Sequence, residues 1–182
     1  MIVIIKQDYL DFEIYVKNTD NIFLKGSLSS KFFKSKILVY NENNEPKIEI
    51  RNSLRLDFWN MTFSIKIPSI QLNSDLKPIR IFKGHWRLKM QKDTYDFILH
   101  KGHKKSLFKN NKQIASYDKK FIEILERNSI IIEMNSEENI ELVVAIVLCF
   151  EMGNKGSIDG ISLNVGNINE GIKPYDKNWK AK

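Results

Sequence analysis

The chain has 182 residues, of which 42% are hydrophobic and 28% are charged, a composition typical of one globular domain. Its one cysteine excludes a disulfide framework, and no window of about 18 apolar residues could span a bilayer as a helix. The start, "MIVIIKQDYLDF", reaches Lys6 and Asp8 too early for a signal peptide, so we expect a cytoplasmic protein.

The formal net charge of +7 suggests that the protein binds an anionic partner. Between Lys77 and Arg127 there are 14 Lys and Arg against 5 Asp and Glu, whereas the remainder of the chain holds 15 against 17. The excess therefore lies in the central third. An alternative is that the charge reflects A/T-rich codons, because the chain carries 24 Lys, 26 Ile and 18 Asn but 5 Arg. Phosphate-binding proteins favour the arginine fork, so the scarcity of arginine supports the alternative that the charge is incidental. Nucleic acid is not the expected partner.

Short segments with strand patterns follow one another as far as Met134. "NENNEP" separates two of them as a hairpin turn. In "HWRLKMQ", alternation places Trp86 and Leu88 inward and Arg87 and Lys89 outward. We count about twelve strands among "IVIIK", "FEIYVK", "NIFLKGSL", "KILVY", "KIEIR", "MTFSIKI", "SIQL", "IRIFKG", "HWRLKMQ", "YDFILH", "SLFK", "KQIASY", "FIEILE" and "SIIIEM".

The segment "ENIELVVAIVLCFEM" has no polar side chain from Leu142 to Phe150. Asn135 or Ser136 could cap it, acidic residues follow, and Gly153 is a typical stop, so we predict one helix over about 137–152. A fully buried strand is the alternative.

A helix that is apolar on every side must be surrounded. About eight strands make a barrel that its own side chains fill, and about twelve leave room for something more. The sequence therefore predicts a mainly-β fold, a closed antiparallel barrel that encloses this helix. Its core residues are predicted to be Val144, Ile146, Leu148 and Phe150.

The strand series "YDFILHKGHKKSLFKNNKQIASY" and the late helix "ENIELVVAIVLCFE" resemble the tubby C-terminal-like superfamily, which includes LURP-one-related proteins and phospholipid scramblases. The resemblance covers residues 1–152. The chain departs from the family pattern by continuing through 153–182, a tail that we expect to pack on the barrel or trail from it, with Tyr175 and Trp179 as anchors and "GISLNV" as an extra strand.

The resemblance implies binding of phosphoinositides through basic residues on the barrel surface, as in tubby domains, or action at membranes, as in scramblases. The cysteine cluster and the membrane-spanning C-terminal segment of scramblases are absent from the sequence. Scramblase activity is therefore not expected.

The sequence carries no catalytic constellation, and we expect neither enzyme activity, nor a cofactor, nor a metal. His100 and His103 lie on either side of a turn, and Asp96 is the nearest carboxylate. The two histidines would supply only about half of the ligands of a zinc site, so they are expected to be solvated. His85 is expected to be structural. Cys149 lies in the hydrophobic helix and is expected to be buried and unreactive. "GNKGSIDG" lacks the spacing and the ending of a phosphate loop.

The hairpin "HKGHKKSLFK" crowds lysines around one turn. Only one of Leu107 and Phe108 can point inward on a strand, so the other is expected to be exposed beside the cations. Such a combination suits an anionic membrane surface. The alternative is a solvated hairpin whose lysines protect an edge. The predicted ligand-binding residues are Lys101, Lys104, Lys105, Phe108, Lys109, Arg87 and Lys89.

The sequence thus predicts a non-enzymatic cytoplasmic binding protein that meets anionic phospholipid peripherally. Two alternatives stay open, a protein-interaction or scaffold domain with incidental basicity, and a nucleic-acid-binding module. The sequence carries no signal for an oligomeric state.

Overall fold

In the described part of the chain, twelve strands follow one another and one α-helix comes after them. The structure is a computed structural model that describes residues 1–17, 22–31, 34–53, 62–80, 84–100, 104–118, 129–151 and 173–182. The helix, α1, is Ile140–Glu151. The strands are β1 (Ile2–Asp8), β2 (Asp11–Val16), β3 (Ile22–Lys31), β4 (Lys34–Tyr40), β5 (Pro46–Ser53), β6 (Phe63–Ile67), β7 (Leu72–Arg80), β8 (His85–Met90), β9 (Asp93–Leu99), β10 (Lys104–Lys109), β11 (Lys112–Asp118) and β12 (Ser129–Met134).

The strands form a closed barrel in which every neighbouring pair is antiparallel. Each strand pairs with the next one along the chain, and β12 returns to pair with β1. At this closure Val3 lies opposite Ile132, and Ile5 lies opposite Ile130. The predicted fold class, a closed antiparallel barrel of about twelve strands around one hydrophobic helix, is confirmed.

Alternation along the strands decides which side chains fill the barrel. In β2, Phe12 and Ile14 are buried, whereas Glu13 between them is exposed. In β8, Trp86 and Leu88 are buried as predicted. The outer face is therefore mostly polar, and the inner faces of all twelve strands meet the helix in one hydrophobic core.

Helix α1 occupies the interior of the barrel, because its residues from Leu142 to Glu151 are buried whichever way they point. A helix of this length rises about 18 Å. The four predicted core residues lie in the main core: Val144, Ile146, Leu148 and Phe150.

Aromatic rings surround the C-terminal end of α1. The ring centroid of Phe150 lies 5.4 Å from that of Phe63, 4.8 Å from that of Trp86 and 4.1 Å from that of Phe97. Edge-to-face and stacked pairs of this kind each contribute about 0.5–1.5 kcal/mol beyond burial. This end of the helix is therefore fixed to β6, β8 and β9.

The start of α1 corrects the predicted cap. The Leu142 backbone N–H donates to Asn139 Oδ1 over 2.9 Å, so Asn139 caps a helix that begins later than predicted. Asn135 Oδ1 instead accepts from the Lys182 backbone N–H over 2.9 Å, and the Ser136 hydroxyl donates to the Lys182 carbonyl over 3.1 Å. The two predicted caps therefore bind the C-terminal residue.

The strand assignment needs one correction. "SIQL" and "IRIFKG" were predicted as separate strands, but Pro68–Ile70 form a 3-10 turn and β7 then continues through Pro78. The β7–β8 register shifts between Pro78 and Arg80, which accommodates a residue that lacks an N–H donor. "FIEILE", Gly153 and "GISLNV" lie outside the described residues.

Candidate basic surface site

The residues predicted to bind an anionic surface are spread over both faces of the barrel. Strands β9 and β10 form the lysine-rich hairpin, and its turn, 101–103, lies outside the described residues together with Lys101 and His103. Of the other six, Lys89 is exposed, whereas Lys104, Lys105, Phe108, Lys109 and Arg87 are buried or half-buried.

Lys105 points into the barrel. It shares the inner face of β10 with Leu107, and its side chain is 12% exposed. Its ammonium lies 2.6 Å from Glu151 Oε1 and 4.7 Å from the centre of the Tyr117 ring. The Tyr117 hydroxyl donates to the same carboxylate oxygen over 3.0 Å. Lys105 is therefore an internal cation with an internal partner.

This polar cluster sits at the C-terminal end of α1. A carboxylate is unfavourable there because the helix dipole is negative at that end. The Lys105 ammonium compensates both charges at once. Burial, followed by the charge of Glu151, raises the pKa of Tyr117 well above its usual value, so the hydroxyl stays a donor. Burial likewise raises the pKa of the Cys149 thiol, and Cys149 is buried as expected.

Lys109 is half-buried between two carboxylates. Its ammonium lies 3.4 Å from Glu138 Oε2 and 3.7 Å from Asp93 Oδ2. Burial acts to lower the pKa of Lys109, but Tyr95 and the two carboxylates outweigh it and raise the pKa overall. Its charge is therefore neutralised within the protein.

Arg87 closes a buried network on the outer face of β8 and β9. Its Nε donates to Asp96 Oδ1 over 2.7 Å and its Nη2 donates to Asp96 Oδ2 over 3.2 Å. His85 Nε2 lies 2.7 Å from Asp96 Oδ1. Burial acts to raise the pKa of Asp96, but the hydrogen bonds and charges of His85 and Arg87 prevail and hold this pKa at about 2.

Phe108 corrects the expectation that one residue of the pair Leu107–Phe108 is exposed. Both are buried, at 3% and 7% exposure. Phe108 faces outward, as strand alternation requires for the neighbour of an inward Leu107, and the Lys173 ammonium lies 4.2 Å from the centre of its ring. The same ammonium donates to Asn111 Oδ1 over 2.9 Å. Residues near the C-terminus thus cover the predicted apolar contact.

Lys104 and His100 both contact Tyr175. The Lys104 ammonium lies 4.6 Å from the centre of the Tyr175 ring, and the His100 ring meets it edge-on at 5.4 Å. His100 is half-buried, which corrects the expectation of a solvated turn histidine. Burial, followed by the charge of Lys104, lowers the pKa of His100 to about 4.

Three exposed lysines, of which only Lys89 belongs to the predicted set, form a group that we call the lysine platform: Lys89, Lys92 and Lys112. Lys89 and Lys92 belong to the β8–β9 hairpin, and Lys112 begins β11 after the β10–β11 turn. Both turns lie at the same end of the barrel because successive turns of antiparallel strands alternate between the two ends, and the β9–β10 turn comes between these two. Among the described residues, these three lysines form no ion pair.

Asn110 fastens the two turns together. Its side chain accepts from the Thr94 backbone N–H over 3.0 Å and donates to Asp93 Oδ1 over 2.7 Å, and its backbone N–H donates to the Thr94 carbonyl over 2.9 Å. The carboxylate nearest in sequence to Lys92 is therefore already engaged. Sequence reasoning identified Lys89 but missed Lys92 and Lys112, although the strand order places alternate turns, such as those after β8 and after β10, at the same end of the barrel.

Comparison of the chain with protein-family models, with curated proteins and with solved structures found no match. Across the described ranges, no three His, Cys, Asp or Glu side chains are grouped as a metal site would require. Within those same ranges, the structure holds no helix with the length and apolar character that crossing a membrane demands. His85, expected to be structural, is held by Asp96.

The first testable prediction concerns acid. Because the pKa of Asp96 is about 2 in the folded chain and 3.8 ordinarily, its ionised form adds roughly 2 kcal/mol of stability above pH 4, which disappears as the pH falls towards 2. We expect Asp96→Asn to remove this dependence. Urea unfolding between pH 5 and pH 2 should show the gap between wild type and variant shrinking by roughly that amount.

The matched control for this prediction is Asp75→Asn, because the Asp75 side chain is 41% exposed and pairs with an exposed lysine. This variant should follow wild type across the whole range. A gap between wild type and Asp96→Asn that stays constant with pH would contradict the assignment.

The second prediction concerns the internal pair. Lys105→Met leaves the Glu151 carboxylate buried without its cation, which should cost about 3–5 kcal/mol in the free energy of unfolding. Adding Glu151→Gln removes the charge while keeping an acceptor for Tyr117, and should restore most of the loss. Urea unfolding at neutral pH measures both variants. If the free energy of unfolding of Lys105→Met lay within about 1 kcal/mol of the wild-type value, the range of a surface ion pair, the internal placement of Lys105 would be contradicted.

Proposed function

We propose that this chain is a non-enzymatic binding protein that meets anionic phospholipid surfaces through the lysine platform, Lys89, Lys92 and Lys112. The observation that carries the proposal is that these three exposed lysines lie in or next to two turns at one end of the barrel, without an ion pair among the described residues. Cations in this state can exchange water for lipid phosphate without first breaking an internal contact.

The spacing of the platform suits a surface rather than a single small anion. Lys89 and Lys112 lie on β8 and β11, three strand spacings apart, which corresponds to about 14 Å. Each lysine beside an anionic bilayer contributes about 1 kcal/mol. Three together amount to roughly a hundredfold in partitioning. The bonds of Asn110 hold the two turns in fixed relation, so little ordering is needed on contact.

Lysines on the opposite side of the barrel are less suited to binding an anionic phospholipid surface. Lys25 lies directly across from Glu13, and Lys66 lies across from Glu49. Lys112, in contrast, lies across from another lysine, Lys109. No carboxylate therefore lies directly across the strand register from Lys112, whereas one lies across from Lys25 and one from Lys66.

The platform replaces most of the predicted basic hairpin as the contact surface. Lys105, Lys109 and Arg87 would each have to leave a carboxylate partner to bind lipid. Membership of the tubby-like superfamily, predicted from the sequence pattern, is part of the same proposal. The net charge of +7 would steer the protein towards an anionic membrane as a peripheral, cytoplasmic binder.

The test is co-sedimentation with vesicles of phosphatidylcholine alone and of phosphatidylcholine with phosphatidylserine, at low and moderate salt. Wild type should bind the anionic vesicles in a salt-sensitive manner. Lys89→Glu/Lys92→Glu/Lys112→Glu should lower the partition coefficient by about a hundredfold or more.

The matched control carries the same change of charge elsewhere. Lys25→Glu/Lys34→Glu/Lys66→Glu alters three exposed lysines of β3, β4 and β6, and should retain most binding. Equal loss of vesicle binding in the two triple variants would show that net charge alone controls binding. That result would overturn the lysine platform as the contact site. Absence of vesicle binding by wild type would favour a scaffold role. Displacement of the protein from the vesicles by added RNA or DNA would favour a nucleic-acid partner.

A further inference from the structure

Isoleucines occupy outward-facing positions on adjacent strands, on the side of the barrel where it closes. Ile4 of β1 lies directly between Ile131 of β12 and Tyr15 of β2 in the strand register. Ile2 follows on the same face of β1, and Phe23, 39% exposed, lies on β3. We call these five residues the isoleucine patch.

The barrel core does not account for the patch. Val3 and Ile5 point inward from β1 at 0% exposure, and Ile132 does so from β12. Ile2, Ile4, Ile131 and Tyr15 are half-buried and lie outside the core cluster.

Strands β1 and β12 are thus apolar on both faces, as "IVII" and "IIIEM" show. Continuous apolar runs of this kind are typical of strands that are covered on both faces. In the described structure the inward residues of these two strands belong to the core, whereas the outward isoleucines lie outside it and are partly exposed. The outer face therefore resembles one half of an interface.

The patch is continuous rather than scattered. It spans four neighbouring strands, β12, β1, β2 and β3, which corresponds to about 14 Å across the strands. Single exposed hydrophobic residues are ordinary, whereas a contiguous group rimmed by polar residues marks an interaction surface.

The rim identifies the kind of partner. Along one border, Glu13 lies between Lys6 and Lys25 in the register, and Glu133 lies across from Ile2 on the other border. All four are exposed. Lys17, also exposed, lies beside Ile2 and donates its backbone N–H to the Ile2 carbonyl. Three positive and two negative charges therefore border the patch, although the whole chain carries +7. Such a rim offers no advantage to a strongly anionic or cationic partner, but it complements itself when rotated onto a second copy.

We infer that the isoleucine patch is the interface of a symmetric homodimer. In a twofold dimer the same patch meets itself, so the apolar centres stack and a lysine of each rim can face a glutamate of the other. The Lys6 ammonium lies 5.4 Å from the centre of the Tyr15 ring and the Tyr15 hydroxyl donates to Glu13, which orders the rim beside the patch. The lysine platform lies on other strands and stays accessible in this dimer.

Sedimentation velocity over a range of chain concentrations up to about 1 mM tests the inference, because weak protein pairs are populated in this range. Wild type should shift from monomer to dimer as the concentration rises. Ile4→Thr/Ile131→Thr removes apolar area while keeping β-branched side chains, and should weaken dimerisation at least about tenfold.

Ile79→Thr is the matched control. Ile79 is a 47% exposed isoleucine of β7, on a strand outside the patch, and its replacement should leave dimerisation unchanged. Circular dichroism of each variant checks that the barrel is intact. A wild type that stays monomeric throughout, or a dimer indifferent to Ile4→Thr/Ile131→Thr, would overturn the inference.

Charge variants test the symmetry separately. Glu13→Lys/Glu133→Lys makes the rim wholly positive, and two such rims should repel and abolish the dimer. Adding Lys6→Glu, Lys17→Glu and Lys25→Glu reverses every sign of the rim, so the dimer should return. Failure of this fivefold variant to dimerise, while it remains folded, would contradict a self-complementary rim.

Discussion

The structure depends on one constraint, which is that helix α1 presents apolar side chains in every direction. Such a helix is stable in water only when it is surrounded. The twelve-stranded barrel has the complementary problem, since a ring of that size is too wide for its own side chains to fill. Each element therefore supplies what the other lacks. Neither the closed barrel nor the buried helix would be expected to persist alone.

Apolar packing has no direction, so the position of α1 along the barrel must be set by polar contacts. At the start, Asn139 caps the helix. At the end, Glu151 binds Lys105 and Tyr117, and the ring of Phe150 contacts three aromatic side chains. A slip by one turn would break both ends and leave a buried carboxylate without its partner, which is costly. The internal ion pair thus contributes specificity of position.

Because the helix takes up the interior, recognition falls to the outer surface and the barrel ends. The outer surface divides into regions of different chemistry. Strands β8 to β11 carry the lysine platform and the contacts of Lys173 and Tyr175, whereas β12 to β3 carry the isoleucine patch with a rim of mixed charge. The two regions lie on different strands, so membrane contact and self-association would not compete.

The sequence predicted the fold well and the chemistry of individual cations poorly, for one physical reason. Strand alternation and the all-apolar helix are local patterns that survive in any tertiary context. The state of a lysine depends on partners that are remote in the chain, since Lys105 meets a carboxylate 46 positions away. Phe108 was expected at the surface because its cover, Lys173, comes from near the C-terminus. The cap at Asn139 was missed because two earlier residues, Asn135 and Ser136, also have capping side chains, and their actual partner, Lys182, is remote in the sequence.

Hydrogen exchange of the α1 backbone amides tests the central claim most directly. If the helix lies inside a closed barrel, the amides of Val143 to Phe150 can exchange only when the whole barrel opens. They should then be among the slowest in the chain, with a protection free energy equal to the global free energy of unfolding. Exchange of these amides at the rate of the exposed turn at Gln91 and Lys92, under conditions in which the strands stay protected, would contradict the account.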